Sequence, residues 1–214
     1  MTKRMAKKPV IKGLYAITPD ESDTVELMRK VRLALQGGAR MLQYRNKSAN
    51  AALKLQQSQA LRQLTREFDS AFIVNDDVLL ASQVDADGVH LGGGDGGVAA
   101  ARALLGNAKI IGASCYNRAP LAFEAVRQGA DYVAFGAFFL SGIKPEAMRA
   151  DVAMLQTVRS ELSVPIVAIG GITQQNGVAL VTAGADALAV ISALWNAPDI
   201  EVAAQEFSTL FSRT

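Results

Sequence analysis

The chain alternates between two hydrophobic patterns. Short apolar runs rich in strand-forming residues are separated by longer stretches whose apolar residues recur at helical spacing, as Leu27, Val31 and Leu35 do. Eight runs predict β-strands, at residues 14–18, 41–44, 71–74, 88–91, 110–114, 132–136, 166–169 and 187–191. Strands that alternate with helices pair in parallel through right-handed crossovers.

A weak internal repeat narrows the choice of fold. A turn of small residues followed by a strand recurs as GGARMLQY, DADGVHL, GADYVAFG and GADALAVI, and introduces every second strand. This predicts a single-domain (β/α)₈ barrel, the TIM-barrel fold, over residues 13–214, after a basic tail over residues 1–12. A doubly wound open sheet is the alternative, but ITPDES stands where its Gly-rich fingerprint usually follows the first strand.

Composition excludes several classes of function. The 214 residues are 50% hydrophobic and carry a net charge of +2, too little to suggest nucleic acid or an anionic membrane as the main partner. No apolar run approaches the roughly 18 residues of a membrane span, and the basic start lacks the apolar region of a secretory signal. The single cysteine, Cys115, fits a reducing compartment and predicts a cytoplasmic location.

In such a barrel the functional residues lie where the strands end. The second strand is followed by Arg45 and Lys47, which share a parity and suit a phosphate or diphosphate. Taken alone, this segment fits a solvated basic loop better than an anion site. The turns after strands seven and eight, around Gly171, Ile191 and Ser192, predict a second phosphate site built from backbone N–H groups.

Acidic residues follow strands three and four. Asp76 and Asp95 offer two carboxylates for one Mg²⁺ ion that keeps several waters and bridges substrate phosphates. Asp77 is instead predicted to cap the helix that opens at Val78. His90, the only histidine, is predicted to be a buried structural residue inside the barrel.

Two further strand ends carry candidate ligands. Ser114 either binds phosphate or caps the following helix, and both interpretations stay open. The long loop after strand six contains Phe138, Phe139 and Lys144, and predicts closure over substrate with Lys144 on a phosphate. Two facing anion sites suit a condensation of two substrates, or one substrate with two phosphates.

Taken in order, several segments resemble those of thiamine-phosphate synthases and the related thiazole tautomerases. The resemblance spans residues 13–194 and rests on LYAIT, QYRNK, VNDD, DGVHLG followed by Asp95, IGAS, the Lys144 loop, VAIGGIT and AGADALAVISAL. It implies a Mg²⁺-dependent transferase that joins 4-amino-5-hydroxymethyl-2-methylpyrimidine diphosphate to 4-methyl-5-(2-phosphoethyl)thiazole or its carboxylate. Thiamine phosphate and diphosphate are the implied products.

The resemblance also implies a role for each site residue. The implied diphosphate ligands are Gln43, Arg45, Lys47 and Lys144, of which the three cations are the catalytic residues. The implied Mg²⁺ ligands are Asp76 and Asp95. The implied pyrimidine contacts are Asn75 and Ser114, and the residues implied near the thiazole phosphate are Ser141, Gly171, Ile191 and Ser192. The implied mechanism is dissociative, with the bond to diphosphate breaking before the thiazole nitrogen attacks.

Other functions remain open. A tautomerase-like isomerase would need no metal, but Asn75, Asp76 and Tyr116, which stands in place of the tautomerase histidine, favour the synthase. A non-catalytic barrel that binds thiamine precursors stays open because Ile143 replaces a hydroxyl residue in the loop after strand six. Another phosphate-binding barrel, such as one of tryptophan biosynthesis, would not explain QYRNK or the acid pair. A homo-oligomer is one option for the assembly.

Overall fold

A computed structural model describes residues 8–93, 97–139 and 150–212 of the chain. The strands are β1 Gly13–Ile17, β2 Met41–Tyr44, β3 Ala71–Asn75, β4 Gly88–Leu91, β5 Ile110–Tyr116, β6 Tyr132–Phe135, β7 Ile166–Ile169 and β8 Ala187–Val190. The helices are α1 Thr24–Gln36, α2 Ala51–Glu67, α3 Val78–Gln83, α4 Val98–Leu105, α5 Ala119–Arg127, α6 Val152–Glu161, α7 Gln174–Thr182, α8 Ser192–Trp195 and α9 Ile200–Thr209. Each predicted strand is present, although β5 runs on to Tyr116 and β6 already ends at Phe135.

The eight strands close into a barrel. Neighbouring strands pair in parallel throughout, and β1 pairs with β8 as well as with β2. Tyr15 of β1, for example, lies opposite Met41 of β2 and Ala189 of β8. The predicted (β/α)₈ barrel is therefore confirmed, and the open doubly wound sheet is excluded.

Alternation along the strands divides the core into two layers. The barrel interior is filled by an inward-facing cluster that includes Tyr15, Met41, Ile73, Ile110, Tyr132 and Val167. Outward-facing residues such as Leu42 and Phe72 pack in a second cluster with apolar residues of the helices. Ile11 is buried in the interior cluster although it belongs to the predicted tail. Residues 1–7 lie outside the described part, and the tail boundary at residue 12 stays a prediction.

Short polar side chains set where most helices begin. Asp23 caps α1, Asn50 caps α2 and Asp199 caps α9, each accepting a backbone N–H of the first turn. Asp77 caps α3 by accepting the N–H of Leu80, as predicted. The longest described helix, α2, has 17 residues, and within the described ranges no helix is both long and apolar enough to cross a membrane.

The internal repeat has a structural basis at the amino-terminal end of the barrel. In three of its four copies an aspartate stands just before an even-numbered strand; the first copy has Arg40 at that place. Each aspartate accepts a backbone N–H from the preceding strand and pairs with an arginine of the helix before that strand. The pairs are Arg62 with Asp87, Arg102 with Asp131 and Arg159 with Asp186, and the backbone donors are Phe72, Ile111 and Ile166. Each carboxylate therefore ties one helix to two strands.

Candidate functional site

A cavity of about 370 Å³ opens at the carboxyl ends of β2 and β3. This is the end of a (β/α)₈ barrel at which active sites are found. The charged and amide side chains of its lining are Arg45, Asn46, Lys47, Lys54, Asn75, Asp76 and Asp77. The structure thus brings together four residues that the sequence nominates for a single site, the two cations after β2 and the amide and carboxylate after β3.

The cationic segment after β2 is held against the end of β1. The buried Thr18 hydroxyl donates to the carbonyl oxygen of Arg45 at 2.9 Å and accepts its backbone N–H at 2.8 Å. Asn46 turns inward and donates to the carbonyl oxygen of Glu21 at 2.7 Å. Arg45 and Lys47 both line the cavity, but so does Asn46 between them, so their shared parity stays a prediction. Both remain accessible to an anion, since Arg45 is half-buried and Lys47 is exposed.

Lys54 is a cavity residue that the sequence analysis missed. It lies in the first turns of α2, is half-buried, and adds a third cation to the lining. The available signal was its position in the helix that directly follows QYRNK, because that helix starts at the carboxyl end of the barrel. A cavity with three cations suits a diphosphate better than the two predicted ones alone.

Asp76 adopts a backbone conformation that residues other than glycine rarely adopt. Its φ is +63°, in the left-handed region that aspartate tolerates better than most residues. Its N–H donates to the carbonyl oxygen of His90 at 2.8 Å, which fixes the turn after β3 to the end of β4. The amide of Asn75 donates to Oδ2 of Asp76 at 2.6 Å. Strain at such a position is typical of functional sites.

The donor set around Asp76 fits Mg²⁺ in part. Mg²⁺ is commonly held by one or two carboxylates together with waters and substrate phosphates. Asp76 supplies one carboxylate beside the cationic cavity, whereas Asp95 lies outside the described residues. Among the residues that are described, no three histidine, cysteine, aspartate or glutamate side chains cluster as a metal site. The two-carboxylate site stays a prediction.

Gln43 lies in the barrel interior beneath the cavity rather than in the lining described above. Its side chain is 2% exposed, and its Nε2 donates to the hydroxyl of Tyr15 at 2.8 Å. The implied contact of Gln43 with diphosphate therefore stays a prediction. The structure shows a buried polar anchor instead.

His90 and Ser114 meet across neighbouring strands. His90 is buried in the barrel, as predicted, and its Nε2 lies 2.9 Å from Oγ of Ser114. Its ring stacks on Tyr132 with centroids 5.6 Å apart. Ser114 does not cap the next helix, because α5 has Arg118 at its N-cap and no side-chain capping bond. The phosphate interpretation of Ser114 stays a prediction.

The ends of β7 and β8 lie side by side. Ile169 is paired with Ala189, so Gly171 and Ile191 each stand two residues beyond a matched pair. Gly170 has a φ of +103°, and a Cβ there would come within 2.5 Å of Ala137 Cβ, so only glycine fits this turn. The short helix α8 begins at the exposed Ser192 without a side-chain capping bond from Ile191. This arrangement is compatible with the predicted backbone phosphate site.

The loop after β6 is described only at its two ends. The backbone N–H of Phe138 donates to the carbonyl oxygen of Ile169 at 3.3 Å, and Phe138 is buried. Phe139 donates to Gly170 at 3.1 Å. The loop therefore starts against the end of β7, with Phe138 as an apolar anchor. Lys144, Ser141 and Ile143 lie outside the described residues, so their predicted roles stay predictions.

Fold and cavity together define a (β/α)₈ barrel whose cationic site lies at the carboxyl ends of its strands, the usual place of catalysis in this class. Comparison with known proteins identifies the family. A family model described as thiamine monophosphate synthase matches residues 14–194, so the chain belongs to that family.

Named relatives are similar in sequence to this chain over nearly its full length. The thiamine-phosphate synthase of Methylobacillus flagellatus is 57% identical over 95% of this chain and 97% of its own. The thiamine-phosphate synthase of Nitrosospira multiformis is 50% identical over 97% of this chain and 89% of its own. A solved structure of thiamine phosphate pyrophosphorylase from Pyrococcus furiosus superposes with a TM-score of 0.85 at 37% identity, covering 94% of this chain and 96% of that one.

Proposed function

We propose that the protein is a thiamine-phosphate synthase. It joins 4-amino-5-hydroxymethyl-2-methylpyrimidine diphosphate to 4-methyl-5-(2-phosphoethyl)thiazole or its carboxylate, and releases diphosphate. The observation that carries the proposal is the cavity whose lining includes Arg45, Lys47, Lys54, Asn75 and Asp76, in a chain that belongs to this family.

The two substrates occupy different parts of the barrel mouth in this proposal. The diphosphate lies on Arg45 and Lys47, with Lys54 as an added contact. The pyrimidine lies between Asn75 and Ser114, whose strands reach the same end of the barrel. Further residues proposed for binding are Gln43, Ser141 and Lys144 toward the diphosphate and loop side, and Gly171, Ile191 and Ser192 toward the thiazole phosphate.

The chemistry asks the protein to hold charge rather than to form a covalent bond. The carbon–oxygen bond to diphosphate breaks and its electron pair leaves with the diphosphate, which gives a pyrimidine-methyl cation stabilised by the ring amino group. The lone pair of the thiazole nitrogen then forms the new carbon–nitrogen bond. Arg45, Lys47 and Lys144 bind the leaving group as its charge develops. A Mg²⁺ ion held by Asp76 and Asp95 would add positive charge to the same group.

The proposal includes a cytoplasmic location and small molecules as the partners. The buried thiol of Cys115, which forms no disulfide, and the net charge of +2 support these points. Sedimentation of the purified protein would determine whether it forms a homo-oligomer.

Diphosphate release from the purified protein tests the proposal. We expect turnover only when pyrimidine diphosphate, thiazole phosphate and Mg²⁺ are all present, and loss of turnover with a chelator. Lys144→Ala should lower turnover far more than it lowers the melting temperature. Folded protein without turnover would contradict the synthase, and metal-independent isomerisation of a thiazole carboxylate would support the tautomerase instead.

A further inference from the structure

Five polar side chains form a continuous hydrogen-bonded chain across the barrel interior. Gln43 Nε2 lies 2.8 Å from the Tyr15 hydroxyl, which lies 2.9 Å from the Tyr132 hydroxyl. The Tyr132 hydroxyl lies 2.9 Å from His90 Nδ1, and His90 Nε2 lies 2.9 Å from Ser114 Oγ. The members of this hydrogen-bonded chain thus come from β2, β1, β6, β4 and β5, in that order. It connects the strand before the cationic segment to the serine proposed to contact substrate.

The members of this chain differ in their access to solvent. Gln43, Tyr15, Tyr132 and His90 are all buried, with exposures of 2%, 1%, 0% and 8%. Ser114 is half-buried at the cavity end of β5. Burial raises the pKa of both phenols well above the ordinary tyrosine value, so each keeps a proton to donate. A buried hydroxyl proton without an acceptor is unfavourable, and the direction of each bond is assigned on that ground.

The direction of the bonds follows from the donor at one end. Gln43 donates to the oxygen of Tyr15, so the single proton of Tyr15 points to Tyr132. The proton of Tyr132 then points to His90 Nδ1, which must be the unprotonated ring nitrogen. His90 is left as the Nε2–H tautomer and donates to Ser114 Oγ. The hydroxyl proton of Ser114 is consequently directed away from His90.

We propose that Tyr132 and His90 are positioning residues that hold the Ser114 hydroxyl as a hydrogen-bond donor toward an acceptor atom of the pyrimidine diphosphate. This inference rests on the proposed function. The stacked rings of His90 and Tyr132 restrict the imidazole to one orientation. An aligned chain of buried bonds also polarises its last member, which makes the serine a better donor. Substrate then meets a donor that is already oriented and loses less free energy on ordering it.

The tautomer of His90 can be read directly, because it is the only histidine in the chain. Protein labelled with ¹⁵N-histidine should give one pair of ring-nitrogen signals, with the proton on Nε2 and an unprotonated, hydrogen-bonded Nδ1. An Nδ1–H tautomer would overturn the proposal. It would mean that the Gln43 amide is turned round and that Ser114 donates to His90.

Kinetics of Tyr132→Phe test whether the hydrogen-bonded chain affects turnover through Ser114. The variant keeps the ring and removes the hydroxyl that joins Tyr15 to His90. We expect kcat/KM for the pyrimidine diphosphate to fall about 10- to 100-fold, the range seen for groups that orient a metal ligand, with the KM for thiazole phosphate within about twofold of wild type. The tautomer preference of His90 should be lost as well.

A double variant separates positioning from a general loss of packing. Adding Tyr132→Phe to Ser114→Ala should cause little further loss, because both changes interrupt one path. Additive losses would overturn the proposal. Ser70→Ala is the matched control: it removes a hydroxyl that is 5% exposed and donates to the carbonyl oxygen of Ala39, before β3 at the other end of the barrel. It should leave the kinetics unchanged.

The outcomes distinguish this inference from the function on which it rests. Wild-type protein without turnover would contradict the synthase itself. If the wild-type protein turns over but His90 is the Nδ1–H tautomer, or if the losses in the double variant are additive, only the positioning role of Tyr132 and His90 is overturned. If Tyr132→Phe does not fold, the tautomer of the wild-type protein decides the question.

Discussion

The guanidinium group of Arg102 donates to Oδ2 of Asp131 at 2.6 Å, and the same oxygen accepts the backbone N–H of Ile111 at 2.8 Å. Arg102 also donates to the carbonyl oxygens of Lys109 at 2.7 Å and Gly129 at 2.8 Å. The two ionic side chains are 16% and 21% exposed. One arginine of α4 therefore holds together the chain segments that lead into β5 and β6.

Removal of Arg102 should destabilise the barrel. In Arg102→Ala the largely buried Asp131 carboxylate loses its arginine and keeps only Lys8 and the N–H of Ile111 as partners. We therefore expect the free energy of unfolding to fall by about 2 kcal/mol. Urea denaturation followed by circular dichroism measures it. The control is Arg127→Ala, which breaks an exposed pair with Glu124 and should change stability by less than about 0.5 kcal/mol. Equal effects of the two substitutions would contradict the role given to Arg102.

Asp76 and Asp77 are neighbours with different expected roles. Asp76→Asn removes a proposed Mg²⁺ ligand, so the Mg²⁺ concentration for half-maximal turnover should rise about tenfold, or about 1.4 kcal/mol. Asp77→Ala removes the cap of α3 and should cost about 1 kcal/mol of stability. Titration of turnover with Mg²⁺ and thermal melting separate the two. The assignment fails if Asp77→Ala shifts the Mg²⁺ titration as far as Asp76→Asn does.

Lys54 should contribute to diphosphate binding although the sequence analysis passed over it. Lys54→Ala removes a cation from the cavity lining, so the affinity for inorganic diphosphate in the presence of Mg²⁺ should fall about tenfold. The loss should shrink as ionic strength rises. Isothermal titration calorimetry measures both effects. Lys12→Ala, which removes an exposed cation just before β1, should leave the affinity unchanged; a similar loss there would point to a general effect of net charge.

Cys115 should be inert in the folded protein. It is 1% exposed, and burial raises the pKa of its thiol to about 12. Because the thiolate is the reactive form, reaction with a thiol reagent should stay slow at pH 8 and accelerate only as the pH rises toward that value. In urea the same thiol should react as an ordinary cysteine, with a pKa of about 8.5. Rapid stoichiometric labelling of the folded protein at pH 8 would contradict this expectation.

Features set by contacts between nearby residues could be predicted from the sequence. The order of strands and helices follows from the two hydrophobic periods, and the cap at Asp77 depends on a contact with Leu80 only three residues away. The place of Arg45 and Lys47 at the carboxyl end of the barrel follows from their position directly after β2. These interactions are local, so the pattern of residues specifies them wherever the segment lies in the fold.

Contacts between residues far apart in the sequence depend on closure of the barrel and could not be predicted from the sequence. Ser114 meets His90 across 24 positions of the chain, and Gln43 meets Tyr15 across 28. Those contacts depend on strand register and on which side chains point inward, and neither is encoded in a short window of residues. The sequence by itself determined the elements and the carboxyl-end location of the cations. Only the tertiary structure decided the buried chain of bonds, because its members become neighbours when the eight strands close.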